Sequence, residues 1–447
     1  MGLFERLRGG DEPRVAFLGI DGVPHELIED RPDVFPNLHA LADDGTSGRI
    51  SSIVPPESSA CWPSLTTGVN PGATGVYGFQ DRNVDSYETY VPVGSHVKAT
   101  RIWERVDTVG RNATVLNVPV TFPPDPDVQR MVSGFLSPSL EDAANDEAVQ
   151  YVLEQYNYQI DVDASLGHED DKSSFIDDAY GTLESRYRVF DHYFEEDDWD
   201  LFFGVFMTTD RINHFLYGDY EEGSEYADEF LEFYRQLDEY IGKLQTTLSD
   251  DVSLIIASDH GFTRLDYEVN LNEYLHEQGW LEYASDDHDS LEDISDTTRA
   301  YSFIPGRVYL NLEGREPNGS VSEDEYERVR EELIDDLEAL TGPDGQQVCR
   351  RIVTTEHAFD GNFTEIAPDL VIIPADGYDL KSGFETKDSV FTTGPRNGMH
   401  KFENATLFSD AELKIDDTDL FDITPTILDL LDIEYAPDEF DGESIVA

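Results

Sequence analysis

The run VAFLGI at 15–20 contains no polar side chain and stops at Asp21-Gly22. A strand with one face in water alternates polar and apolar residues, whereas a strand covered on both faces need not. Such a run belongs in the middle of a sheet with helices on either side. Similar short runs recur at 114–118, 201–207, 252–257 and 370–373, with helix-compatible stretches between them. Alternating strands and helices predict an α/β fold, built on a mostly parallel central sheet sandwiched between helices. Ligands of such sheets sit beyond the carboxyl ends of the strands, so the residues that follow each run speak most directly about function.

Those residues share a chemistry. Asp21 follows the first run, TTDRINH at 208–214 the run at 201–207, and SDHGF at 258–262 the run at 252–257; GMH stands at 398–400. Asp210 and His214 are four apart, on one face if helical, and can grip one ion. Asp259 and His260 are adjacent at a strand end. Each piece has an ordinary explanation: a strand-end Asp is often a turn residue, and Asp-x-x-x-His an exposed helix pair. A charged dipeptide directly after an apolar strand is harder to dismiss, because buried charge needs partners. Together Asp21, Asp210, Asp259, His214, His260 and His400 form a ligand set suited to zinc, with manganese or iron as alternatives.

The stretch at 53–79, IVPPESSACWPSLTTGVNPGATGVYGF, is rich in turn formers and encloses a helix-compatible segment at about 59–67, with hydroxyls massed at its front. Free N–H groups and partial positive charge at a helix N-terminus suit an anion such as phosphate. A serine there can attack phosphorus once its pKa is lowered. Taken alone, the stretch reads more readily as an ordinary serine N-cap on a surface helix, and the rest of the chain overturns that reading.

The chain has 447 residues and a formal net charge of −65, its 95 acidic residues spread along the whole length against 30 basic ones. Charge of that density repels itself in dilute buffer and is screened in concentrated salt, where the Debye length is about 3 Å at 1 M. A salt-adapted cytoplasmic protein is expected, resembling those of halophilic archaea. The charge argues against nucleic-acid binding, which needs a basic face. No apolar run approaches the roughly 18 residues of a membrane span, and MGLFERLRGGDEPR does not read as a signal peptide. Two cysteines, Cys61 and Cys349, imply no disulfide framework. Ser322-x-x-Glu325 reads as a capping box before a helix through Leu340, and Thr424-Pro425 as the opening of a helix with proline first. Residues 140–200 and 265–394 fit the alternation poorly and are expected as caps inserted into a single catalytic domain.

With these pieces in hand, the chain resembles the alkaline phosphatase superfamily, and within it the type I phosphodiesterase/nucleotide pyrophosphatase branch. FLGIDG at 17–22, WPSLTTGVNPGATGVYGF at 62–79, TTDRINHF at 208–215, SDHGF at 258–262 and GMH at 398–400 carry the likeness. YLNLEGREP at 309–317, APDLVI at 367–372 and DITPTILDLL at 422–431 are weaker echoes. The resemblance implies two divalent metal ions flanking a Ser or Thr nucleophile. Asp210, His214 and His400 match the ligands of one metal; Asp21, Asp259 and His260, with the nucleophile's oxygen, match those of the other. Counting ten residues back from Gly68 puts the nucleophile at Ser58, or at Ser59 if the loop is shifted by one. Cys61 stands where nucleotide pyrophosphatases carry an Asn, and Lys401 where a Gly often follows the last histidine. The sulfatase signature is absent, because Ala60 and Trp62 occupy its Pro and Arg positions. The implied function is hydrolysis of phosphodiesters or pyrophosphates of a small phosphorylated substrate. The alternatives are a phosphomonoesterase or phosphate-transfer enzyme on the same core, and a catalytically silent metal-binding protein.

Overall fold

The computed structural model describes residues 12–196, 198–249 and 251–447, so the stretch on which the signal-peptide reading mostly rests lies outside the described residues. Seven strands form the central sheet, in the order Thr46–Ile50, Ala405–Ser409, Val252–Ala257, Arg14–Ile20, Leu201–Phe206, Ala113–Val118, Arg130–Ser133. The last five run parallel to one another, while Ala405–Ser409 pairs antiparallel with both of its neighbours. Arg14–Ile20 lies at the centre and is buried at every residue. Val15 faces Leu201 on one side and Ser253 on the other.

Side chains of this strand alternate between two cores, which is why its sequence does not alternate in polarity. Ala16, Leu18 and Ile20 pack in one core with residues of helices Pro36–Asp44, Ser173–Glu196, Thr208–Glu222 and Ala227–Thr247. Val15 and Phe17 pack in the other with helices Ser58–Thr67, Ile102–Thr108 and Ile423–Leu430. The fold is therefore α/β, a mostly parallel sheet between helical layers. Gly19 sets the approach of helix Ser58–Thr67, because a Cβ there would come within 2.4 Å of the Trp62 indole. Among the described residues no helix is long and apolar enough to cross a membrane.

Three local expectations need correction. The run at 370–373 belongs to a second, antiparallel sheet, ordered Ala300–Phe303, Arg307–Leu310, Leu370–Pro374, Cys349–Thr354. A short apolar run looks alike in either sheet, since the partner strands that decide between them are remote in sequence. The capping box does not close: Ser322 Oγ donates to the Glu325 side chain (2.8 Å) instead of receiving a backbone N–H. A 3₁₀ turn, Glu323–Glu325, then leads into helix Tyr326–Glu338. The last helix begins at Ile423, so Pro425 is its third residue, a position whose missing N–H has no intrahelical partner to lose.

The regions expected as caps take different places. Residues 140–200 supply helix Ser173–Glu196 to the layer flanking the central sheet. Residues 265–394 hold the antiparallel sheet, with a core of its own around Tyr301, Tyr309, Val329 and Leu333.

Asp419 opens the turn that leads into the last helix and offers a pH test of this region. Burial, reinforced by Asp422 and Asp441, pushes its carboxyl up to about 6 from 3.8. The folded chain thus holds this proton more tightly than the unfolded chain. Stability is lost as pH rises from about 4 to about 6 and stays low above that. Asparagine keeps an acceptor for the Phe421 N–H (2.9 Å) without the charge. Asp419→Asn is expected to stabilise the fold by about 2 kcal/mol at pH 8 and to give no gain at pH 3.5, read from urea midpoints at constant salt.

Candidate active site

Asp21 leaves the end of the central strand fully buried, its N–H donating to the Phe206 carbonyl (3.2 Å). Trp62 Nε1 donates to its Oδ2 (2.6 Å), and Ser58 Oγ donates to its Oδ1 (3.2 Å). From the neighbouring strand, Asp259 Oδ1 accepts the Gly22 N–H (3.1 Å), while its buried Oδ2 has no hydrogen-bond partner among the described residues. His260 donates from Nδ1 to the Gly261 carbonyl (3.0 Å). Its Nε2 faces Ser58 Oγ (3.2 Å), Asp259 Oδ2 (3.5 Å) and Asp21 Oδ1 (3.6 Å).

Helix Thr208–Glu222 starts directly after its strand and presents Asp210 and His214 one turn apart, with Nε2 3.3 Å from Oδ1. His400 comes from strand Gly398–Lys401, which pairs antiparallel with Gly261–Asn270, the strand that begins directly after His260. His400 Nε2 lies 3.2 Å from Asp210 Oδ1 and 3.0 Å from His214 Nε2, and its Nδ1 faces the Pro56 carbonyl (3.1 Å). The rings of His260 and His400 stack at 3.9 Å, so the two triads adjoin. All seven candidate residues thus meet at one place, and Ser58, not Ser59, points into it. Ser59 Oγ is buried without a hydrogen-bond partner among the described residues.

The donor set fits divalent cations. All three histidines set Nδ1 against a backbone carbonyl and turn Nε2 inward, the orientation that second-shell bonds give to metal-ligating imidazoles. Burial, with Asp259 and Asp210 close by, drives the Asp21 carboxyl well above the usual range, and burial raises Asp259 as well. Burial likewise lowers His214, and lowers His260 to about 3, keeping both neutral and available as ligands. Asp210 behaves oppositely: burial would raise it, but His214, His400 and Arg211 outweigh burial and hold it well below. Crowded, desolvated carboxylates with an unpartnered oxygen are what a bound cation relieves.

One expectation is narrowed. The front of helix Ser58–Thr67 is already capped, since Glu57 Oε2 accepts the Ser59 N–H (3.1 Å) and its carbonyl those of Ala60 (2.9 Å) and Cys61 (2.8 Å). Those three donors are not open to an anion. Cys61 Sγ faces Ser52 Oγ (3.3 Å) and the Pro55 carbonyl, within the core.

Beside Ser58 opens a cavity of about 400 Å³. Phe79, Phe135, Leu136, Ile304, Pro305 and Phe215 give it apolar walls, and Lys381, Arg396 and Asp379 a charged side. The Phe79 and Phe135 rings are parallel within 10°, 6.4 Å apart. Ala164 and His168 line it from residues 140–200. Sequence reasoning missed Trp62, Glu57, Arg211 and Arg396 as neighbours of the site. Trp62 and Arg211 sat inside the motifs that named their neighbours, but nothing in their spacing declared a bond to Asp21 or Asp210.

Residues 15–403 match the model of the type I phosphodiesterase/nucleotide pyrophosphatase family, and the chain belongs to that family. Phosphonoacetate hydrolase from Sinorhizobium meliloti 1021, solved with phosphonoformate, is similar in fold at 15% identity and a TM-score of 0.64, over 94% of this chain and 96% of that one. Murine ectonucleotide pyrophosphatase/phosphodiesterase 5 is similar at 14% identity and a TM-score of 0.55, over 96% and 97%. An inactive form of the murine protein in complex with AMP gives 0.56 at the same identity and coverage. Among curated proteins, none matches the sequence. The chain is a phosphoester hydrolase by family.

Proposed function

We propose that the chain is a metal-dependent phosphodiesterase of small phosphorylated molecules, with Ser58 as nucleophile. Asp210, His214 and His400 would hold one divalent ion; Asp21, Asp259, His260 and Ser58 Oγ would hold the second. Zinc is the expected metal, with manganese or iron as alternatives. The observation that carries this reading is the convergence of six ligand-type side chains from remote segments into one cluster, two of which, Asp21 and His260, contact the Ser58 hydroxyl. When bound, such ions supply Lewis acidity toward the phosphoryl oxygens and neutralise the crowded carboxylates.

The chain's own groups do the rest. Asp21 and His260 hold Ser58 Oγ from two sides, its proton lying toward Asp21 Oδ1. Attack forms an Oγ–P bond and breaks the P–O bond to the leaving alcohol, and water then cleaves the seryl ester to restore Ser58. Ser58 is only 4% exposed, which keeps bulk water from the attacking oxygen. The apolar walls give the second substituent of a diester a surface to rest on, which a monoester lacks. Lys381 and Arg396 on the charged side favour the runner-up, a monoesterase or phosphate-transfer enzyme, to the extent that they add positive charge for a dianion.

The test is metal content per chain together with hydrolysis of a bis-aryl phosphate and an aryl phosphate monoester, in the molar salt that the net charge of −65 calls for. About two ions per chain are expected, with diester preference, loss of activity after chelation, and recovery with zinc or manganese. Monoester preference would promote the runner-up. A chain that takes up no metal and hydrolyses neither ester would overturn the reading.

A further inference from the structure

Arg396 stands four residues before His400, on a segment held tightly to helix Thr208–Glu222. The Asn397 N–H donates to the His214 carbonyl (2.9 Å), Asn397 Oδ1 accepts the Gly218 N–H (3.1 Å), and Asn397 Nδ2 donates to Asp219 (2.7 Å). Lys172 Nζ donates to the Pro395 carbonyl (3.1 Å). A Cβ on residue 398 would lie 2.1 Å from the Asn213 carbonyl, so only glycine permits the approach. The backbone under Arg396 is therefore fixed, and only its long side chain has a choice of partner.

That choice involves a conflict at His214. The Gly398 carbonyl lies 3.2 Å from Nδ1 and needs a proton there. Arg396 Nη2 lies 2.8 Å from the same nitrogen and, being only a donor, needs a lone pair there. One neutral imidazole cannot satisfy both. If Arg396 donates to Nδ1, the ring proton sits on Nε2, toward Asp210 and His400, and Nε2 cannot ligate. If Nε2 binds a cation, Nδ1 carries the proton, gives it to Gly398, and repels the guanidinium. Arg396 Nη2 is already 3.1 Å from Asp379, its Nη1 is 3.7 Å from Glu268, and the side chain lines the cavity beside Ser58. Arg211, which also lines the cavity, is held more closely than Arg396, by Asp161 (2.7 and 3.1 Å) and by the candidate ligand Asp210 (3.0 Å).

We propose that Arg396 is the cavity's anion ligand, released from His214 Nδ1 by metal loading and turned onto a phosphoryl oxygen of the substrate. Metal binding and anion binding are then coupled through one side chain, metal first. The proposal rests on the metal-dependent phosphoester reading of the Ser58 site and adds the residue and the order of binding.

The experiment uses the full chain with manganese alone and with inorganic phosphate as probes, both followed by calorimetric titration in molar KCl. Arg396→Gln is expected to bind manganese several-fold tighter, since the competing bond to His214 is gone. Its metal-loaded form is expected to bind phosphate at least tenfold more weakly than wild type, and Arg396→Lys to recover part of the loss. Lysine keeps the charge, so a manganese affinity in Arg396→Lys between those of wild type and Arg396→Gln separates bond release from simple charge removal. Full metal loading with phosphate affinity unchanged in Arg396→Gln would overturn the assignment of Arg396 and leave the phosphodiesterase reading standing. A wild-type chain that binds no manganese would overturn both.

Discussion

Ser58→Ala is expected to lower kcat at least a thousandfold, about 4 kcal/mol of transition-state stabilisation, with the fold and metal content retained. The hydroxyl is the group that Asp21 Oδ1 and His260 Nε2 both contact. Its loss leaves those two atoms to share a proton or a cation, so little stability is forfeited. Residual turnover would come from water delivered to a phosphorus centre still bound and polarised, which is why the loss has a floor. Ser59→Ala is the matched control. Its Oγ is buried without a hydrogen-bond partner among the described residues, and removing an unsatisfied hydroxyl costs nothing in hydrogen bonding. Less than a threefold change in kcat is expected there. The measurement is single-turnover hydrolysis of a bis-aryl phosphate at saturating metal. Retention by Ser58→Ala of a tenth or more of the wild-type rate would remove Ser58 from the nucleophile's role, and a large loss in Ser59→Ala would transfer that role by one residue.

What could be read in advance was whatever depends on short stretches of chain. VAFLGI announced a strand covered on both faces because burial on both faces is a local compositional demand, and the strand lies between two cores. Asp210 and His214 announced a shared face because the helical period is local, and their ligating atoms meet at 3.3 Å. Strand Ala405–Ser409 went unread, although it sits inside the central sheet, because its pairing is antiparallel and its sequence, ATLFS, carries polar residues. The run at 370–373 was assigned to the wrong sheet for the complementary reason: a local pattern shows that a strand is buried but not against what. The same limit applied at the site. The bond from Trp62 to Asp21 spans 41 residues, and the contact of Arg396 with His214 spans 182. Hydroxyls at a helix front were legible, with Ser58 singled out by the family resemblance, but the capping of that front by Glu57 depends on the rotamer of one side chain, which no spacing encodes.

The second large effect concerns how the apolar wall of the cavity is held. Phe79 sits on a loop that follows helix Ser58–Thr67 in the chain, and the next residues tie that loop to the antiparallel sheet through buried charge. Asp81 pairs with Arg307, and Arg82 with Glu316, whose side chains are 3% and 0% exposed. Arg82 Nε donates to Glu316 (3.2 and 3.3 Å), Nη1 donates to the Ile366 carbonyl (3.1 Å), and the guanidinium lies 4.0 Å over the Tyr309 ring. Arg315 also reaches Glu316 (3.1 Å) while gripping Asp369 (2.7 and 3.0 Å). Glu316→Ala would leave Arg315 its own carboxylate but strip Arg82 of its only carboxylate partner among the described residues, in a dry site. An unpaired buried charge of this kind costs about 3–5 kcal/mol, and a fall of that size in unfolding free energy is expected from denaturant titration. Because the pair is shielded from solvent, the loss should be nearly the same in 1 M and 3 M KCl, unlike the exposed pair Arg328–Glu332. Arg82→Met with Glu316→Leu, which removes both charges and keeps volume, should restore most of the stability, since the cost lies in the orphaned partner and not in the absent bond. A single-variant loss below about 1 kcal/mol would mean that water reaches Arg82 once Glu316 is gone, and the loop bearing Phe79 would then be anchored by Asp81 and Arg307 alone.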